Sequence, residues 1–193
     1  THVTIYFIRH GQTDWNAAAR YQGQRDIPLN DIGRGQALRN GETLARLLAE
    51  PAALDYVSSP LSRAEATMRI VRRAASLPED DFRRDPRLIE IHYGHWQGHL
   101  ASELTDTDPA GVAARLRNPF GWRPDGGESY ADLMQRTSAW LDTIDRDTVV
   151  ASHGGVSRTL RGAILGLDGA VTTRLEVPQD RILVLRAGAM SWL

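Results

Sequence analysis

Two apolar runs of strand length each break off abruptly into a glycine-flanked histidine, and a chain built this way has few folds open to it. Val3 to Ile8 is β-branched and aromatic and stops at Arg9-His10-Gly11, and Asp147 to Ser152 is a second apolar run that stops at His153-Gly154-Gly155. So sharp a change from apolar to polar marks a buried strand ending in a loop, so each strand carries an imidazole at its carboxyl end.

Between and beyond these runs, helix and strand patterns alternate. From Asp31, apolar residues recur at spacings of three and four (Ala37, Leu38, Gly41, Leu44, Ala45, Leu48), which predicts a helix with one stripe against a sheet, closed by Pro51. Leu54 to Ser58 reads as a short strand, Leu61 to Ala75 as a helix entered near Pro60, and Pro78 to Asp81 as a turn. Phe82 to Ile91 reads as extended and leads into a glycine-punctuated loop, Gly94 to Gly98. Leu100 to Asn118 suits two short helices broken near Pro109, and Tyr130 to Ile144 a helix capped by Ser129. Another helix runs from near Gly154 to Gly166, and Arg181 to Arg186 with Met190 to Leu193 form a hairpin turning through Ala187-Gly188. Alternation of this kind implies a three-layer α/β/α domain over residues 1–193, with a mostly parallel sheet whose ligand lies beyond the carboxyl ends of its strands. His10 and His153 are then expected at the same end of one sheet.

The composition narrows the chemistry. Cysteine is absent, which excludes disulfides, thiolate catalysis and cysteine-ligated metal sites. All 23 basic residues are arginine, so there is no lysine for a Schiff base or a P-loop, and any phosphate must be held by guanidinium. The net charge of −1 and the interleaving of Arg with Asp and Glu argue against nucleic acid as a partner. No apolar run approaches the ~20 residues needed to span a membrane, and Thr1-His2-Val3-Thr4 lacks the features of a signal peptide, so a cytoplasmic location is expected. Oligomeric state is not legible.

A phosphoester site needs a nucleophile, positive charge around the phosphoryl oxygens and a proton donor for the leaving oxygen. Arginine offers planar, bidentate hydrogen bonding to those oxygens, glycines beside each histidine let backbone N–H groups approach the anion, and a helix starting near Gly154 adds the positive end of its dipole. His10 must be neutral to attack, whereas His153 is expected to serve as imidazolium beside a dianion.

The motifs extend across nearly the whole chain: Ile8-Arg9-His10-Gly11-Gln12-Thr13-Asp14-Trp15-Asn16, Tyr21-Gln22-Gly23, Asp26-Ile27-Pro28-Leu29-Asn30, Ser58-Ser59-Pro60-Leu61-Ser62-Arg63-Ala64, Leu88 to Gly98, Gly126-Gly127-Glu128-Ser129 and Ser152-His153-Gly154-Gly155. In these the chain resembles the histidine phosphatase superfamily, which includes the cofactor-dependent phosphoglycerate mutases. The resemblance implies a phosphoglycerate mutase-like fold and a transiently phosphorylated His10. It further implies a phosphate pocket of Arg9, Arg63, His153 and Asn16, with Glu90 as proton donor to the leaving alkoxide. Gln22, the Gly23 backbone N–H and Tyr93 are expected at the substrate's non-reacting part, and Gly154 beside the phosphate. The expected substrate is a small phosphate ester, with no metal and no cofactor.

Within that family the short segment from Gly98 to Gly126, which offers only Arg115, Arg117 and Arg123 as cations, favours a phosphatase over a mutase, although Glu90-Ile91-His92-Tyr93-Gly94 has a mutase flavour. A phospho-ligand-binding module and a metal-dependent hydrolase are the other readings. His92, His95 and His99 have metal-like spacing, but Gly94 and Gly98 break the helix that would align them. The pairs Arg72-Arg73 and Arg83-Arg84 read as solvated surface. The catalytic reading requires that the rings of His10 and His153 and at least two guanidiniums meet around one anion, within solvent reach.

Overall fold

The protein is described by a computed structural model over residues 2–193; residue 1 of the expected domain lies outside the described residues. In chain order the elements are β1 (Thr4–Arg9), α1 (Asp14–Ala17), α2 (Asp31–Leu47), β2 (Asp55–Ser58), α3 (Ser62–Ala74), β3 (Arg83–Arg84), α4 (Ala101–Thr107), α5 (Pro109–Arg117), α6 (Tyr130–Leu141), β4 (Thr148–Ser152), α7 (Gly154–Leu165), α8 (Gly169–Thr172), β5 (Ile182–Arg186) and β6 (Ala189–Trp192). The strands form one sheet in the order β3-β2-β4-β1-β5-β6. β1 to β4 run parallel, and the terminal hairpin adds β5 antiparallel to β1 and then β6. The hairpin turns through Ala187 and Gly188, both with positive φ, as a tight two-residue turn requires.

Period-two alternation sorts the strand side chains to two cores. Ile5 and Phe7 of β1, Val57, Val150, Leu183 and Leu185 face one side, where Leu133 and Trp140 of α6 and Val156 and Leu160 of α7 cover them. Ile8, Tyr56, Val149, Ala151 and Ile182 face the other, against Leu44 of α2 and Met68 and Val71 of α3. Helices on both faces complete the three-layer α/β/α arrangement. The chain leaving β1 continues to α2 on one face and the chain leaving neighbouring β4 continues to α7 on the other. The crevice between the carboxyl ends of β1 and β4 is therefore where connections diverge, the usual location of a ligand site in such sheets.

Several expectations are corrected. Of Phe82 to Ile91 only Arg83–Arg84 is strand; Pro86–Leu88 is a turn of 3-10 helix entered through Asp85, whose side chain accepts the Arg87 N–H. A proline has no N–H to give a ladder, so pairing ends before it. Leu38 is 46 % exposed, and the buried stripe of α2 runs instead through Gly33, Ala37, Asn40, Gly41 and Leu44. Arg72 is buried: its guanidinium lies 4.6 Å from the Tyr56 ring centroid and its Nε donates to the Pro78 carbonyl at 2.6 Å. A long stem over an aromatic ring explains why a charged residue leaves the surface there.

Among the described residues, no helix is long and apolar enough to cross a membrane.

Candidate active site

The sheet register builds the site. Ile8 and Arg9 of β1 pair with Ala151 and Ser152 of β4, and Ser58 of β2 pairs with Ala151, so three strands end side by side. Two further bonds extend the ladder past the strand ends: His10 N–H donates to Ser152 O at 2.9 Å, and Ser59 N–H to Ala151 O at 2.9 Å. His10, Ser59 and His153 thus emerge from adjacent positions, and the two imidazole centroids lie 5.1 Å apart.

The hydrogen bonds assign the tautomer of His10. Its Nδ1 is 2.6 Å from the Gly11 carbonyl, which can only accept, so Nδ1 carries the proton. Nε2 then holds the lone pair, and it accepts from Arg63 Nε–H at 3.3 Å. Arg63 is fixed in turn by donating to the Gly23 and Arg25 carbonyls at 2.6 and 2.5 Å. Gly23, at φ +55, supplies a left-handed residue in a loop where a Cβ would collide with Gln97. His153 Nε2 is 2.7 Å from Ser59 Oγ, which also accepts the Leu61 N–H, and His153 Nδ1 is buried without a partner. Arg9 donates through Nη1 to the Val177 carbonyl at 2.7 Å, while its buried Nε–H is also unpartnered. A buried donor left unsatisfied, as Arg9 Nε–H is, costs about 1–3 kcal/mol.

Burial, then the Arg63 and Arg9 charges, hold the His10 imidazole well below its usual range; burial, then Arg63, His10 and Arg9, do the same to His153. Both rings are therefore neutral at neutral pH. Burial and the guanidinium charges thus leave both imidazoles unprotonated in the ligand-free protein, whereas the imidazolium expected at His153 concerns the phosphate-bound state. The ligand-free protein does not meet the condition of solvent reach: His10 is 1 % and His153 0 % exposed, and Arg63 Nε–H occupies the His10 lone pair.

Glu90 lies at the same end of the sheet. Its Oε1 accepts the Ile91 N–H at 2.8 Å and its Oε2 the Gly155 N–H at 3.3 Å, which ties the carboxylate to the first turn of α7. A Cβ on Gly154 would meet the Arg9 guanidinium at 3.5 Å, so that position brings helix backbone close to Arg9. Asn16 uses its Oδ1 for the Thr13 N–H and for Gln179 Nε2, both at 3.1 Å, and Gln179 also donates to the His10 carbonyl. Gln22 is buried and its Oε1 accepts from Thr13 Oγ1 at 2.5 Å, which supports the loop before Gly23. Tyr93 packs edge-on against Tyr21 at 5.0 Å, and burial pushes its phenol well above the usual value. His95 bonds Asp108 at 2.8 Å, His99 bonds Glu103 at 3.2 Å and His92 Nδ1 accepts the Gly94 N–H, so the three rings serve separate partners.

Three contributors went unrecognised in the sequence. Arg136 of α6 pairs with Glu128 and donates to the carbonyls of Arg87, Ile89 and Glu90 at 2.8, 2.6 and 3.0 Å, clamping the segment that presents Glu90. Arg158, one turn into α7, donates to Leu175 O and Tyr130 Oη beside Arg9. Gln179 reaches the site from the loop before β5. The position of Arg158 four residues after Gly154, on the helix face turned to the site, was a usable signal; Arg136 and Gln179 act through long-range contacts that leave no local pattern.

Comparison with known proteins agrees with this geometry. Residues 5–192 match the family described as histidine phosphatase superfamily (branch 1). A glucosyl-3-phosphoglycerate phosphatase of Mycolicibacterium vanbaalenii is 37% identical over 177 residues, covering 84% of this chain and 74% of that protein. A probable phosphoglycerate mutase of Yersinia pestis is 31% identical over 180 residues, covering 91% and 80%. The solved native structure of a mycobacterial glucosyl-3-phosphoglycerate phosphatase superposes with a TM-score of 0.83 at 29% identity, covering 100% of this chain and 97% of that one. The chain belongs to the histidine phosphatase superfamily.

Proposed function

We propose that the protein is a phosphatase of small phosphate monoesters working through a phosphohistidine at His10. The observation that carries this reading is the polarity of His10: with Nδ1–H held by Gly11 O, the Nε2 lone pair faces the Arg63 guanidinium, with the His153 ring centroid 5.1 Å from that of His10 and the Arg9 charge acting on the imidazole. Phosphate oxygens draw the Arg63 N–H off the His10 lone pair, which opens the buried ring, and their binding to Arg9, Arg63, His153 and Asn16 brings phosphorus to Nε2. The N–P bond forms, the P–O bond to the leaving group breaks, and Glu90 in its acid form gives the leaving oxygen a proton. Water then attacks phosphorus, Glu90 takes a proton from it, and the N–P bond breaks to free phosphate and neutral His10. No step calls on a metal, and the chemistry suits a cytoplasmic enzyme acting on a diffusible ester.

A mutase is the second reading, since one relative carries that name. Of the three cations weighed for a substrate carboxylate, Arg123 is bound to Asp132 and Arg117 is exposed, which leaves only Arg115 and favours hydrolysis. The deciding experiment measures phosphate release from 4-nitrophenyl phosphate with and without chelator, and phosphoglycerate isomerisation in parallel. The proposal expects chelator-insensitive release, an acid-labile, base-stable phosphoenzyme, and loss of both in His10→Ala with the fold intact. Wild-type turnover in that variant excludes His10 as nucleophile.

A further inference from the structure

The loop from Leu175 to Asp180, between α8 and β5, lies in neither helix nor strand, and side chains from elsewhere hold it. Leu175 O accepts from Arg158 at 2.7 Å, Glu176 O from Arg161 at 2.8 Å and Val177 O from Arg9 at 2.7 Å. Gln179 O accepts from Asn40 Nδ2 at 3.1 Å and Asp180 O from Arg39. A loop whose carbonyls are paired this densely has a fixed path, and the side chain it carries to the candidate phosphate pocket is that of Gln179.

The partners of Gln179 decide which end of its amide does the bonding. The atom 3.2 Å from the His10 carbonyl has to be a donor, because a carbonyl only accepts, so it is Nε2. The same Nε2 lies 3.1 Å from Asn16, whose facing atom must then be the acceptor Oδ1. The Thr13 N–H, also 3.1 Å from that oxygen, makes the same demand. Turning the Asn16 amide over would set its NH2 group against two donors. Nδ2 therefore occupies the other branch of the amide, where it has no acceptor among the described residues. The two orientations of an asparagine amide have nearly the same shape, yet only one offers N–H to an anion, and the reverse offers an oxygen that repels it.

We propose that Gln179 is a positioning residue of the phosphate pocket: anchored on the His10 carbonyl, it holds the Asn16 amide so that Nδ2 is the atom offered to a phosphate oxygen. The inference rests on the phosphate pocket of the proposed function, with Asn16 as one of its ligands. The same loop fastens Arg9 at Val177 O, so one segment sets two of the pocket's donors.

The test titrates inorganic phosphate by calorimetry into the wild-type protein, Gln179→Met, Asn16→Ala and the double variant, with each melting midpoint recorded. Gln179→Met is expected to weaken phosphate about fivefold, the factor that one hydrogen bond of ordinary net strength represents, and Asn16→Ala about tenfold or more. The double variant is expected to stay within about twofold of Asn16→Ala, because Gln179 then has no amide left to orient. Losses that multiply, or an unchanged affinity in Gln179→Met, overturn the proposal. Since Asn16→Ala also removes a bond that caps α1, Gln179→Met is read on its own as well. Saturating phosphate is expected to shift the side-chain amide resonances of Asn16 in the wild-type protein and to shift them less in Gln179→Met; identical shifts overturn the proposal even if Asn16→Ala does not fold. Unchanged phosphate affinity in Gln179→Met beside normal turnover of 4-nitrophenyl phosphate by the wild type refutes this inference alone. A wild type that binds phosphate without turnover refutes the phosphatase reading while the titrations still decide this one, and a wild type that binds no phosphate removes both.

Discussion

Replacing Gly155 by alanine separates the proton donor from the rest of the machinery. Gly155 is the second residue of α7, and a Cβ added there would overlap Glu90 Oε1 while standing 3.2 Å from Leu133 Cδ2. The atom that must yield is the end of a flexible side chain, so the fold accommodates the methyl and the carboxylate retreats by about 1 Å, a displacement that costs on the order of 100-fold when it falls on a reacting group. The Gly155 N–H persists in alanine, and alanine is favoured over glycine within a helix by about 1 kcal/mol. The thermal midpoint is therefore expected to hold or rise. In steady-state assays, kcat/KM for an alkyl phosphate is expected to drop about 100-fold, because its alkoxide cannot leave unprotonated, while 4-nitrophenyl phosphate loses less than about fivefold. Equal losses on the two esters, or none on either, would refute Glu90 as the proton donor and leave its bond to Gly155 a structural contact.

Three further outcomes follow from the same geometry. Because both site imidazoles stay neutral in the folded protein while unfolded histidines take up protons below pH ~6.5, stability is full above that pH and is lost as pH falls toward the depressed folded values. The slope is about 1.4 kcal/mol per pH unit per histidine, so the melting midpoint should fall about 5–10 °C from pH 7.5 to 5.5 and about half as far in His10→Asn; a flat profile contradicts it. Asp132, held at about 2 by its bond to Arg123, titrates below that window. Arg136→Met strands Glu128 and frees three carbonyls, so chemical denaturation should show a loss of about 2–4 kcal/mol, with turnover of alkyl phosphates falling more than that of aryl phosphates. In Gly11→Ala the new Cβ falls within 2.7 Å of Gly33 Cα, backbone that cannot swing aside, so destabilisation of about 1–3 kcal/mol is expected, and an unchanged denaturation midpoint would show that the β1 loop can shift away from α2.

What the sequence revealed was local. A strand that ends in His-Gly declares itself within a few residues, and two such endings on parallel neighbours must meet, as Arg9 opposite Ser152 shows. The cap of α6, the break at Pro109 and the Ala187-Gly188 turn are likewise written in adjacent residues. What stayed hidden depends on partners far along the chain. Arg72 looks like a surface residue until Tyr56 and the Pro78 carbonyl are known to surround it. Arg136 resembles any helix arginine until Glu128 and the 87–90 backbone close around it. Leu38 fits the helical period and still faces solvent, because α2 buries small residues against α3, where a Cβ on Gly41 would stand 3.0 Å from Val71 Cα.

The charge state of His153 has a cause of the same kind. Pattern alone asks for a cation beside the phosphate and offers a histidine. The folded site meets that demand with Arg9 and Arg63, whose own values burial lowers, Arg63 to about 10, without bringing either near neutrality. Burial first, and then two guanidiniums that remain charged, depress both imidazoles, which in the proposed mechanism keeps His10 able to attack at neutral pH. In the proposed mechanism a bound dianion reverses the field at His153, whose Nδ1 is unpartnered in the ligand-free protein, and favours its protonation when a charge is useful there. In that mechanism His10, spent in the N–P bond, has no competing claim on the proton. On this proposed reading the two histidines start alike and diverge when phosphate binds, since the Gly11 carbonyl occupies Nδ1 of one ring and Ser59 Oγ meets Nε2 of the other.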